Sequence, residues 1–146
     1  MGQATHFNRY ATEIVAYGAW RYTAESRRLQ HVLDKQLSTS DFVAGDRLTI
    51  ADIAVFIFEH SAKWCGIDIK EYPNVKAWRD KLAQRSAFKE GLQVPAPYPW
   101  SDEAVSDPDA QEFYKTVRKY GSRAIESWTK KWQGLAVELP SDYANF

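Results

Sequence analysis

Leu48-Thr49-Ile50-Ala51-Asp52-Ile53 is the stretch that decides how this chain folds. Thr49 is an N-cap residue whose hydroxyl can accept the N–H of Asp52, while the Asp52 carboxylate can reach back to the N–H of Thr49, a short-armed capping box. Leu48 and Ile53 stand at the N′ and N4 positions of a hydrophobic staple, so a helix opens at residue 49. Downstream, Ile50, Ile53, Ala54, Ile57, Ser61 and Trp64 fall on one stripe, and Phe56 and Phe58 extend the apolar surface nearly all round. That pattern predicts a central, buried helix over 49–65. Cys65-Gly66 ends it, with Gly66 suited to the left-handed C′ position. A carboxylate locked on backbone amides is a poor acid or base, so the expected role of the box is folding, not catalysis.

Upstream, no Pro interrupts residues 11–39, and Val15, Gly18, Tyr22, Leu29, Val32, Leu33 and Leu37 recur at steps of three and four, which predicts a long helix. Tyr17, Trp20, Arg21, Ala24 and Arg28 project from a second face of it, and that face calls for a partner. Residues 2–10 are expected to form a preceding turn or a shorter collinear helix. A loop rich in Ser, Thr, Asp and Gly joins the long helix to the capped one. Beyond it, residues 74–84 read as a helix with Val75, Trp78 and Leu82 inward, and Ser86 can cap one further turn. Residues 92–108 hold several prolines and no periodicity, an extended strap. Asp107 as N-cap with Pro108 at N1 then opens a last helix with the stripe Phe113, Val117, Tyr120, Ala124, Trp128 and Trp132. No strand pattern appears. The expected organisation is one all-α domain: a helical core at 1–91, a strap and docking helix at 92–133, and a tail at 134–146.

Composition agrees with one globular domain: 146 residues, 45% hydrophobic and 26% charged. Nineteen basic and nineteen acidic residues cancel, so no global field draws the chain to nucleic acid or an anionic membrane, and neither is an expected partner. No apolar run approaches the roughly 20 residues that span a bilayer, and no basic-then-apolar leader stands at the start. A single cysteine excludes an internal disulfide and a multi-Cys metal site. The expected location is the cytoplasm. Aromatic content is the outlier at 14%, and surplus aromatic surface serves as core, interface or ligand wall.

Few residues offer chemistry. His6, with Phe7, Arg9 and Tyr10 beside it, combines a group that titrates near neutral pH, a fixed cation and a phenol. The alternative is that these residues form an interface. His31 and His60 have no second ligand at helical spacing, so no metal site is expected. Cys65 sits at the helix end whose dipole disfavours a thiolate, and a small buried apolar role suits it better. Lys115, Lys119, Glu126 and Lys130 read as a solvated face.

The segments GQATHFNRYA at 2–11, RYTAESRRLQHVLDKQL at 21–37, FVAGDRLTIADIA at 42–54 and EYPNVKAW at 71–78 resemble the C-terminal helical domain of cytosolic glutathione transferases, in particular the fungal and bacterial Nu-class and disulfide-reductase-like branch. The strap and Trp-bearing helix at 94–132 resemble the tails of fungal members. In that family an N-terminal thioredoxin-like domain binds glutathione and activates its thiol, and this sequence shows no counterpart of it. Glutathione is therefore not expected as a cofactor. In similar proteins an arginine near position 21 can reach glutathione of a neighbouring subunit, so the resemblance makes Arg21 a candidate contact to it, while a dimer-interface role is the larger expectation. The resemblance also implies an apolar substrate cleft walled by Gln3, Phe7, Tyr10, Trp64 and Trp128 or Trp132, with His6, Arg9 and Tyr10 as candidate catalytic residues.

Three functions follow as expectations. The first is a glutathione-independent enzyme of specialised metabolism that isomerises, cyclises or eliminates from a small hydrophobic molecule. The second is a non-catalytic interaction module, and the third a fragment of a full glutathione transferase. A homodimer is expected on each, since bare apolar surface around Phe7, Tyr10, Tyr17 and Trp20 seeks cover.

Overall fold

A computed structural model of the chain describes residues 1–11, 13–94 and 108. Most of the strap and docking helix, including Trp128 and Trp132, and all of the tail lie outside the described residues. Among those described, five α-helices and three short helical turns form an all-α assembly, with one isolated bridge between Phe42 and Gly45 and no strand. The helices are α1 (Gly2–Thr5), α2 (Ala16–Leu37), α3 (Ile50–His60), α4 (Pro73–Ala83) and α5 (Ser86–Gly91).

The capping box at α3 forms as expected, with both arms present. Thr49 Oγ1 accepts the N–H of Ala51 at 3.2 Å, and Asp52 Oδ2 accepts the N–H of Thr49 at 2.9 Å. The second carboxylate oxygen does more than close a cap. Asp52 Oδ1 accepts the N–H of Val43 at 2.9 Å and the indole N–H of Trp78 at 3.0 Å, tying the preceding loop and α4 to the start of α3. Asp52 is fully buried. Burial alone would raise its pKa, but the donors from Val43, Thr49 and Trp78 outweigh that and hold it below the usual carboxylate value.

Two expectations about α3 fail. It ends at His60 instead of 65, where Ser61 leaves helical geometry, and Trp64 sits on a separate 3-10 turn, Lys63–Cys65. Nor is it buried all round. It turns Asp52, Phe56 and Glu59 inward and leaves Ile50 (84%), Ile53 (56%) and Phe58 (50%) exposed, because its packing partners among the described residues cover one side only.

The core instead centres on the segment after α3: Ala62, Cys65, Ile67, Ile69, Tyr72, Val75, Trp78 and Leu82, joined by Phe56. Gly66 takes φ +82° at the turn, the left-handed position expected of it. On α4 the inward residues are Val75, Trp78 and Leu82, as the spacing predicts. Tyr72, the N-cap of α4, offers no side-chain cap. The cap arrives from α2: Asp34 Oδ1 accepts the N–H groups of Asn74 and Val75 at 2.8 and 3.1 Å, and Oδ2 the Asn74 side-chain amide at 2.9 Å. A carboxylate there also meets the positive end of the α4 dipole. Ser86 is the first residue of α5, not its cap, which is Arg85.

The long helix α2 is shorter than expected and buries a different line. Gly18, Ser26 and Gln30 are its buried residues, while Val15, Leu29 and Val32 of the apolar stripe are exposed. Residues 1–10 are not collinear with it. Met1 meets Gln30 while Phe7 meets Gly18 and Tyr22, nearer the start of α2, so α1 folds back antiparallel on α2. The break is at residues 11–15, where Ala11 (φ −57°, ψ 133°) leaves helical geometry.

Candidate functional site

The N-terminal segment brings the candidate residues to the face of α2. Helix α1 passes into a single π-helical turn, His6–Tyr10, whose i→i+5 bonding widens the turn and moves successive side chains out of the α-helical phase. Ala4 is fully buried beneath it, and the Thr5 hydroxyl donates to Cys65 Sγ at 3.0 Å. Burial pushes the Cys65 thiol up, so it is a packed side chain and no nucleophile.

From this base the candidates divide into two groups. Arg9 and Tyr10 turn to Trp64: Arg9 Nε donates to the Trp64 carbonyl at 3.2 Å, its guanidinium lies 4.9 Å from the centre of the indole, and the Trp64 indole N–H donates to Tyr10 Oη at 3.2 Å. Trp64 itself is buried at 6% exposure. Gln3 and His6 face the other way. They line a groove of about 530 Å³ between α1 and α2, closed on the far side by Tyr22, Glu25, Ser26 and Leu29. Phe7 stands between the groups, stacked on Tyr22 with ring centres 5.3 Å apart and pressed against Gly18. Only a glycine fits there, since a Cβ at position 18 would lie 2.8 Å from the Phe7 ring. The single cleft that would join His6, Arg9, Tyr10 and Trp64 is thus two adjacent arrangements, one a groove and one a packed cluster. Trp128 lies outside the described residues.

Glu25, in the groove with His6, accepts hydrogen bonds from Arg28 Nε and Nη2, each at 2.8 Å, and this bidentate pairing lowers its pKa. A carboxylate charged at neutral pH therefore sits on the rim. Arg21 is exposed on α2, as are Tyr17 (71%) and Trp20 (66%), whose rings lie 6.1 Å apart. Among the described residues no group of three His, Cys, Asp or Glu side chains is placed to hold a metal ion, and no helix is long and apolar enough to cross a membrane.

The sequence reading passed over Ser26, Gln30, Glu59 and Asp34. Ser26 and Gln30 continue the row Gly18, Tyr22 at steps of four, so a buried polar row was visible in principle. Polar residues on such a row read as solvent-facing until a second helix is known to cover them.

The family model described as "Glutathione S-transferase, C-terminal domain" matches residues 23–86. The chain is 37% identical over 92 residues to the disulfide-bond oxidoreductase YfcG of Escherichia coli, covering 63% of this chain and 43% of that protein. It is 38% identical over 96 residues to the disulfide-bond oxidoreductase YghU of the same organism, covering 61% and 33%. A solved structure of glutathione transferase YghU from Streptococcus pneumoniae, complexed with glutathione, superposes with a TM-score of 0.59 at 33% identity, covering 65% of this chain and 40% of that one. The chain thus spans less than half the length of these relatives. The all-α architecture of the described residues agrees with the match to that domain model. Residues 23–86 are thus similar to the glutathione S-transferase C-terminal domain.

Proposed function

We propose that the chain binds a small hydrophobic molecule in the groove between α1 and α2 and guides its isomerisation, cyclisation or elimination in specialised metabolism, without glutathione. The observation that carries this reading is the groove itself. It sets the apolar surfaces of Tyr22 and Leu29 beside four polar side chains, Gln3, His6, Glu25 and Ser26, so apolar wall and orienting groups meet in one concave site. In this reading His6 is the proton donor or acceptor of the groove. Arg9 and Tyr10 hold Trp64 and so act as positioning residues. The exposed Tyr17 and Trp20 face supports a homodimer. The cytoplasm is the proposed location.

Mass spectrometry of compounds retained by the purified native chain tests the reading. One hydrophobic compound should be enriched, and Leu29→Glu should reduce its recovery about tenfold by placing a charge on the apolar wall. Recovery of no compound would remove the proposal. With that compound as substrate, His6→Ala should lower kcat by about 10²-fold or more while the fold is kept.

A second reading has its own support. Relatives named as disulfide-bond oxidoreductases, and a glutathione-bound structural neighbour, favour a helical domain that serves glutathione-dependent disulfide chemistry as part of a larger protein. Calorimetry separates the two. The first reading expects no glutathione affinity tighter than millimolar, whereas micromolar affinity would establish the second and direct attention to Arg21 and Arg9.

A further inference from the structure

A cavity of about 500 Å³ shares no lining residue with the groove that holds His6. Lys63, Asp68, Lys70, Lys76 and Arg79 line it. Its cations converge from three elements: Lys63 from the 3-10 turn Lys63–Cys65, Lys70 from a second such turn, Ile69–Glu71, and Lys76 and Arg79 from α4. Asp80 fixes the last two. Its Oδ2 accepts from Lys76 Nζ at 2.6 Å, and its Oδ1 from Arg79 Nε at 3.1 Å and Nη2 at 3.0 Å. One carboxylate thus holds an ammonium and a guanidinium side by side, with the Arg79 side chain only 14% exposed. Asp68 Oδ1 is engaged by the N–H of Lys70 at 3.0 Å, which closes the second turn. Lys63 and Lys70 are exposed, so a ligand arriving from solution reaches them. Among the lining groups and Asp80, four cations against two carboxylates leave an excess of two positive charges, in a chain whose formal net charge is zero.

We propose that this cavity binds a small molecule carrying a phosphate monoester, whose dianion is neutralised by the converging Lys63, Lys70, Lys76 and Arg79. The volume lies within the roughly 300–1,000 Å³ of small-molecule sites. A phosphate ester carries about −1.5 to −2 charges near neutral pH, which matches the local excess. Carboxylates are recognised best by the fork of an arginine, and Arg79 has committed Nε and Nη2 to Asp80. What the site offers is mainly ammonium point charges, and those suit phosphate. The inference stands apart from the groove reading, since it uses none of the same residues.

The test is an NMR titration of the full chain with glycerol 3-phosphate, set against malonate, a dicarboxylate of similar charge. The expected result is saturable movement of the Gly66, Lys70 and Lys76 amide resonances, with glycerol 3-phosphate bound at least about fivefold more tightly than malonate. Lys63→Gln with Lys70→Gln should weaken that binding at least about tenfold. Lys35→Gln with Lys89→Gln, which removes equal charge from exposed positions elsewhere, should leave it unchanged. Equal binding of malonate, equal weakening in the two double variants, or movement without saturation would each overturn the site. Inorganic phosphate is titrated alongside, and tighter binding of the free ion would overturn the ester assignment. Should the first double variant not fold, the comparison of ligands on the wild type decides by itself.

Discussion

Asp52 does the work of several residues. It closes the cap of α3, holds the loop through Val43 and receives the Trp78 indole, all from a fully buried carboxylate. Asp52→Ala should therefore cost about 3 kcal/mol, more than the roughly 1 kcal/mol expected for Thr49→Ala, because it also strands the part-buried Val43 N–H and the buried Trp78 indole. Urea denaturation of both variants checks the order, and equal losses would show that the cap alone matters. The same residue sets an acid limit. Its folded pKa lies below its unfolded value, so the folded state binds this proton less readily than the unfolded chain. The stabilisation is complete above the ordinary aspartate value, near 4, and is lost as pH falls through the folded pKa. Stability measured from pH 7 to pH 2 should fall below about pH 4 in the wild type, and the fall should be shallower in Asp52→Asn. Cys65 gives a reactivity prediction: buried, with a raised pKa, it should react with a disulfide reagent at pH 8 on the order of 10²-fold more slowly in the native protein than in denaturant.

At the scale of elements, the docking of α1 on α2 depends on one close approach, Phe7 on Gly18. Ala in place of Gly would favour helix α2 by up to about 1 kcal/mol, yet the added methyl at 2.8 Å forces the Phe7 ring away, an overpacking cost of about 1–3 kcal/mol. Gly18→Ala should lose about 1 kcal/mol net, and Phe7→Leu in that background should recover part of it. Thermal melts of the single and double variants would show this, and a stabilised single variant would mean that α1 gives way freely. Helix α4 shows the complementary case, in which an element is capped from 40 residues away by Asp34.

For the molecule as a whole, the described residues leave much apolar area outside the core: Tyr17 and Trp20 on α2, and Ile50, Ile53 and Phe58 on α3. Surface of that extent usually marks an interface. Sedimentation of the chain at micromolar concentration is expected to show a dimer, and Tyr17→Ser with Trp20→Ser is expected to shift it to monomer without loss of helicity. A monomeric wild type would reject the interface.

Local physics in the sequence determined the all-α class, the capping box at Thr49 and Asp52, the left-handed Gly66 and the inward face of α4, because each depends on neighbours within a turn or two. The resemblance to glutathione transferases rested on the same short segments and agrees with the family match at 23–86. Only the tertiary structure decided which faces are buried. Leu29 and Val32 stand exposed while Ser26 and Gln30 are covered, since burial depends on what lies across a helix and not on its own period. It also decided that Arg9 and Tyr10 part from His6, because a π-turn rotates them onto Trp64. The Gln30–Glu59 pair, the Asp34 cap and the Gly18 contact join residues 11 to 41 positions apart along the chain, and no periodicity carries information across such a distance.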